Sequence, residues 1–250
     1  FGDHLDAKYI VKNLLDPDNK NNSNKIENYL ENFNSKIKID IRNTSIDKET
    51  QVTDLNGNIN FIKNKLHDVN LQSNFQDDKK IIFTIKHNSK NEKITTLISG
   101  KAKPLVKNYK FIKGFEDGFL DFYSLKKGNK SKSQLKIFDF KLKELPALTQ
   151  LLTLASLQGI ADTLTGEGIR FNEFEMNYSN KDNLMTIDEI YSIGPAISVL
   201  MSGYVEKDKL ISLRGTLVPA TTLNKTIGSI PFLGDILVGK KTGEGVFGVS

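Results

Sequence analysis

The stretch Lys36-Ile37-Lys38-Ile39-Asp40-Ile41-Arg42 alternates strictly between charged and apolar residues. A period of two puts the three isoleucines on one face of a β-strand and the charges on the other, so one face is wet. The same pattern recurs in Val69, Leu71 and Phe75, in Ile81, Phe83 and Ile85, in Leu120 and Phe122, in Leu135 and Ile137, and in Ile197, Val199 and Met201. Residues that tolerate tight reversal separate these segments: Asn56-Gly57, Asp77-Asp78, His87–Lys93, Lys126–Ser133 and Lys207-Asp208-Lys209. Neighbouring strands are therefore expected to pair antiparallel.

Helical patterns interrupt the strands. Ile26, Tyr29, Leu30 and Phe33 fall at i, i+3, i+4 and i+7 within Lys25–Asn34. Pro104 suits a first helical turn, with Leu105, Tyr109 and Ile112 after it and Gly114 as the stop. Pro146 opens a broad apolar helix running to Leu164, and Gly228 and Pro231 break Thr221–Val238 into two short pieces. Both of the longer patterns run into the tetrapeptide Thr-Gly-Glu-Gly, at residues 165–168 and 242–245. A glycine cap turning the chain back toward the sheet accounts for that. The pattern predicts an α+β fold: a mostly antiparallel, curved, trough-like sheet with a few amphipathic helices packed at its apolar side.

The chain has 250 residues, enough for one large domain or two small ones and for a real core. Hydrophobic residues at 38% exclude a wholly disordered chain, and zero cysteines exclude a disulfide framework, a cysteine nucleophile or a thiolate-bound metal. The net charge of +5 is carried by scattered lysines among asparagines, with only Arg42, Arg170 and Arg214 as arginines, so no nucleic-acid patch is expected. No stretch approaches the ~18 apolar residues of a membrane-spanning helix; the nearest, Leu145–Leu164, contains Thr149, Gln150, Thr153 and Asp162. The absence of an initial Met and a final residue in mid-pattern lead to the expectation of a segment from a longer protein.

The sequence carries no complete catalytic motif. Residues 234–241, Gly-Asp-Ile-Leu-Val-Gly-Lys-Lys, match a phosphate-binding loop until Lys241 replaces its Ser or Thr, and the flanks run from helix to strand, so no nucleotide is expected. His4, His67 and His87 have no metal-ligand spacing among them and read as surface or turn histidines. Glu173 and Glu175 share a strand face and Asp77-Asp78 sit in a turn, which reads as solvated carboxylate. No catalytic, cofactor or metal residues are assigned, and the chain is expected not to be an enzyme. The apolar strand faces remain, either as an ordinary core or as a surface that holds acyl chains without directional bonds.

The stretch Pro146-Ala147-Leu148, Leu151 to Leu157 and Gly166-Glu167-Gly168-Ile169-Arg170-Phe171 resembles the C-terminal region of AsmA-like proteins. In the same order follow Ser192-Ile193-Gly194-Pro195-Ala196, Ser202-Gly203, Leu213 to Ala220, Leu223-Asn224, Ile230 to Gly234 and Gly243 to Phe247. The resemblance covers residues 118–250, while 1–117 form a strand-rich segment that carries it weakly and is expected to continue the same sheet.

The resemblance implies a periplasmic part of a protein anchored in the inner membrane of Gram-negative bacteria. It also implies a role in moving phospholipid toward, or maintaining, the outer membrane, with phospholipid acyl chains and membrane surface or envelope proteins as partners and no cofactor. The lining expected from the strand pattern is Ile37, Ile39, Ile41, Val69, Leu71, Ile81, Phe83, Ile85, Leu120, Phe122, Leu135, Ile137, Ile197, Val199 and Met201. Phe232, Leu233, Ile236, Leu237, Lys240 and Lys241 are expected to meet a membrane surface or close a groove end. The competing expectation is a scaffold that assists outer-membrane protein assembly through exposed strand edges.

Overall fold

The computed structural model describes residues 1–9, 34–63, 65–107, 114–143, 149, 162, 166–207 and 210–219. Strand accounts for 74% of these residues and helix for 5%. Twelve strands follow one another in chain order in an open hydrogen-bonded sheet: β1 Gly2–Asp6, β2 Ser35–Ser45, β3 Gln51–Ile62, β4 Lys65–Phe75, β5 Lys80–His87, β6 Lys93–Ser99, β7 Phe115–Lys127, β8 Lys130–Leu142, β9 Ile169–Lys181, β10 Leu184–Ile193, β11 Ile197–Glu206 and β12 Leu210–Pro219. The pairings from β2 through β7 and from β9 through β12 are antiparallel, and β1 pairs parallel with β2.

This corrects the expected fold class. The antiparallel sheet is present, but the molecule is nearly all β among the described residues, with one short helix in place of several. That helix, α1 Lys103–Val106, has Pro104 in its first turn and buries Pro104, Leu105 and Val106. The helical patterns at 25–33, 146–164 and 221–238 lie outside the described residues but for the isolated Thr149 and Asp162. So do the Lys240 and Lys241 pair and the other expected membrane contacts, Phe232, Leu233, Ile236 and Leu237. The physical reason is that half-buried alternating strands make up most of the described residues, so helix is a minor part of this fold.

A second correction concerns Asn56-Gly57, which does not turn the chain but lies inside β3. Gly57 has φ of +142°, and a methyl built on it would run into the Asn70 carbonyl oxygen. The glycine permits a close approach of backbones, a use that Asn-Gly shares with turns. The reversals at 77–78, 88–92 and 128–129 are where the sequence puts them, with Asp78, Asn91 and Gly128 in left-handed conformation.

Aspartates mark where the alternation slips. Asp54 in β3 has φ of +54°, and the register with β4 shifts between Thr53 and Asn56. The buried or half-buried side then changes from Val52 to Leu55, Gly57 and Ile59. Asp139 in β8 has φ of +52°, with Ile137 buried before it and Phe140 after it. In β10 the register slips around Asp188, and burial passes from Ile187 to Ile190. One extra residue re-phases everything downstream, as a β-bulge requires, and Asp is among the residues that best tolerate the left-handed region.

The described residues group into two compact units, 1–112 with 118–133, and 113–117 with 134–250. In the first, Ile46, Val52 and Phe75 form a small core with Ile81 against it. The Lys107 ammonium, just after α1, reaches Asp47 in the β2–β3 turn at 2.9 Å. The second unit is centred on aromatic rings: Phe140 stacks on Phe115 at 5.3 Å and on Phe171 at 5.4 Å and meets Phe174 edge-on.

Candidate functional site

In antiparallel pairing, residues directly opposite one another share a face. The register of β2 to β7 therefore joins the expected lining into rows. One runs Ile37, Ile59, Val69, Ile85, Thr95, Ser124, and the next Ile39, Gly57, Leu71, Phe83, Leu97, Phe122. A third runs Ser73, Ile81, Ser99, Leu120, and Ile41 with Leu55 extends the face on β2 and β3. Ten of the fifteen expected residues thus lie on one continuous face within the first unit. Leu55, Ile59 and Leu97 complete it, although the sequence reading placed β3 and β6 in turns or passed over them.

The face is not sealed. Val69, Ile85 and Leu120 are buried, but Ile39, Ile41, Leu71, Ile81, Phe83, Leu97 and Phe122 are half-buried and Ile37 is 46% exposed. Two of its serine hydroxyls bond to main chain: Ser73 Oγ donates to the Thr53 carbonyl at 2.8 Å and Ser99 Oγ to the Lys101 carbonyl at 2.7 Å. Ser133 Oγ donates to Ser124 Oγ at 2.9 Å. These bonds use the donor protons of Ser73 and Ser99 within the protein, which lowers the polarity of the face without removing it.

The opposite face of β2 to β4 is polar. It carries Lys36, Lys38, Asp40 and Arg42, then Asn56, Asn58 and Asn60, then Asp68, Asn70 and Gln72. Gln72 Nε2 donates to Asn56 Oδ1 at 2.9 Å across the ladder. A depression of about 390 Å³ takes its lining from both faces: Lys36, Asn58, Asn60, Asp68, Asn70 and Lys86 together with Val69, Ile85 and His87.

At one end of the apolar face Lys93 stands opposite Lys126. Burial, and then the neighbouring Lys126 ammonium, hold the Lys93 pKa below the ordinary lysine range. Neither lysine has a carboxylate partner within ion-pair distance among the described residues.

The remaining expected lining lies in the second unit. Ile197, Val199 and Met201 share one face of β11, with Leu217 opposite Val199 and with Ile190 and Gly215 flanking Met201. Ile197 is fully buried, whereas Val199 and Met201 are half-buried. On β8, Ile137 is buried and Leu135 half-buried. Glu175 belongs to a polar network and does not form a carboxylate pair with Glu173: it accepts from Lys136 at 2.9 Å, Gln134 at 2.8 Å and Asn177 at 2.8 Å.

The histidines are not where a turn reading puts them. His67 and His87 lie two residues beyond the Val69 and Ile85 pair on β4 and β5, and their rings stack with centroids 4.5 Å apart. The His67 Nδ1 and Asp68 Oδ2 atoms are 2.6 Å apart. The signal available in the sequence was the equal offset of the two histidines from a shared hairpin, which becomes readable once Asp77-Asp78 is taken as its turn.

A search of family models, curated proteins and solved structures finds no match. Among the described residues, no helix is long and apolar enough to cross a membrane.

Proposed function

We propose that this chain is a non-enzymatic lipid-handling segment that holds phospholipid acyl chains against the apolar face of β2 to β7. The observation that carries the reading is that face: buried and half-buried apolar side chains aligned in rows across six strands, interrupted by Gly57, Thr95 and three serines. Six strands at ~4.8 Å spacing make it roughly 24 Å across, against roughly 15 Å for the acyl layer of one leaflet. Each methylene taken from water contributes about 0.8 kcal/mol, so an acyl chain needs no directional contact to stay. Lys93 and Lys126 at the end of the face suit an anionic headgroup. The resemblance of residues 118–250 to AsmA-like proteins supports the same reading, including a periplasmic location and a role in maintaining the outer membrane.

Mass spectrometry of lipids that co-purify with the chain tests this. The expected result is phospholipid in stoichiometric amount, reduced at least about tenfold by Ile39→Asp in a variant that keeps its strand circular dichroism, since a buried charge must be desolvated. No stoichiometric phospholipid on the wild-type chain would leave the strand-edge scaffold as the better account.

A further inference from the structure

We propose that His67, Asp68 and His87 form a binding site for a divalent transition-metal ion of the zinc type. One donor atom from each residue lies within 4.8 Å of the other two. The three come from adjacent strands of one hairpin, at the end away from its Asp77-Asp78 turn. The register between β3 and β4 steps from Asn60 opposite Asp68 to Phe61 opposite Leu66, so His67 is an extra residue without a partner on β3. Such a bulge re-aims side chains and lets two successive residues serve one site.

A second observation points to a ligand. His87 Nδ1 is buried and has no hydrogen-bond partner. A buried ring nitrogen of this kind is costly to leave unmade, and metal coordination would satisfy it. Two imidazoles and one carboxylate match the donor set of zinc sites that keep a fourth position for water, with bonds of about 2.0 to 2.2 Å. All three residues are half-exposed, which leaves their side chains room to adjust toward that geometry. Asp68 also supplies the negative charge that a divalent ion needs near Lys93, the cross-strand partner of His87. The imidazole donors disfavour calcium and magnesium, which take oxygen.

The test is Zn²⁺ titration of the untagged chain by calorimetry, with Ca²⁺ and Mg²⁺ in parallel. One Zn²⁺ per chain is expected, weakened at least about tenfold by His87→Gln and by Asp68→Asn and unchanged by His4→Gln. No saturable uptake at about 1 mM Zn²⁺, or wild-type affinity in both site variants, would overturn the proposal. Long-range proton–nitrogen NMR of the wild-type chain gives a readout free of any folding defect. Zn²⁺ should shift the ring nitrogens of His67 and His87 and spare those of His4, and unshifted His67 and His87 would overturn the site.

Discussion

Leu71 stands directly opposite Gly57 across the β3–β4 ladder, so the middle row of the apolar face has a gap where every neighbour carries a side chain. The gap is imposed by the backbone, since Gly57 has φ of +142° and its missing Cβ would collide with the Asn70 carbonyl oxygen. Gly57→Ala is therefore expected to destabilise the first unit by about 2 to 4 kcal/mol, read as a lower urea midpoint. Gly128→Ala, in an open turn with nothing near its Cβ position, should cost much less, limited to left-handed strain at φ of +58°.

The link between Lys107 and Asp47 predicts a response to acid. Burial raises the Asp47 pKa, but hydrogen bonds from the Lys107 ammonium, the Glu49 backbone N–H and Thr50 outweigh it and hold the carboxyl below the ordinary aspartate range. A depressed folded pKa contributes stability that is fully present above the unfolded pKa and lost as pH falls through the folded one. Chemical denaturation between pH 6 and pH 2, with values spaced about one unit apart, should show a loss below about pH 4 that Asp47→Asn flattens. At neutral pH the same substitution should cost about 1 kcal/mol, because Lys107 is partly in water and the ion pair is screened.

Glu175 gives the matching prediction in the second unit. Burial pushes its pKa up, and Lys136, Asn177 and Gln134 together outweigh that and hold it below the ordinary glutamate range. Its contribution is likewise present at neutral pH and lost in acid, which Glu175→Gln should diminish in the same denaturation series. Truncation to Ala should cost about 1 to 3 kcal/mol, since Lys136, Gln134 and Asn177 then lose the acceptor they share.

The sheet was legible in the sequence because half-buried strands write their period directly: all six quoted alternations lie in strands. β3 was hidden twice, by the Asn56-Gly57 pair that imitates a turn and by Asp54, which re-phases its alternation. β10 was hidden in the same way by the slip at Asp188. That ten of the fifteen named apolar residues share one face was legible for the same reason as the strands, whereas the His67 and His87 pair depended on a long-range register that period alone does not supply.

Asp54 tests the bulge reading. With φ of +54°, it holds a conformation that Gly adopts freely and β-branched residues resist. Asp54→Gly should leave the melting temperature nearly unchanged, and Asp54→Val should cost about 1 to 2 kcal/mol. Equal costs for the two would mean that the side chain, and not the backbone, matters there.

The lipid-handling account is tested most directly by a photo-crosslinking amino acid placed in turn at Phe83 and Thr84. These neighbours on β5 lie on opposite faces, Phe83 between Leu71 and Leu97 and Thr84 hydrogen-bonded to Thr96 Oγ1 at 2.6 Å. Irradiation in the presence of phospholipid vesicles, followed by mass spectrometry of the protein, is predicted to give lipid adducts at position 83 and at least about tenfold fewer at position 84. Equal labelling at the two positions, or none at 83 in a folded chain, would contradict the apolar face as the place where acyl chains are held.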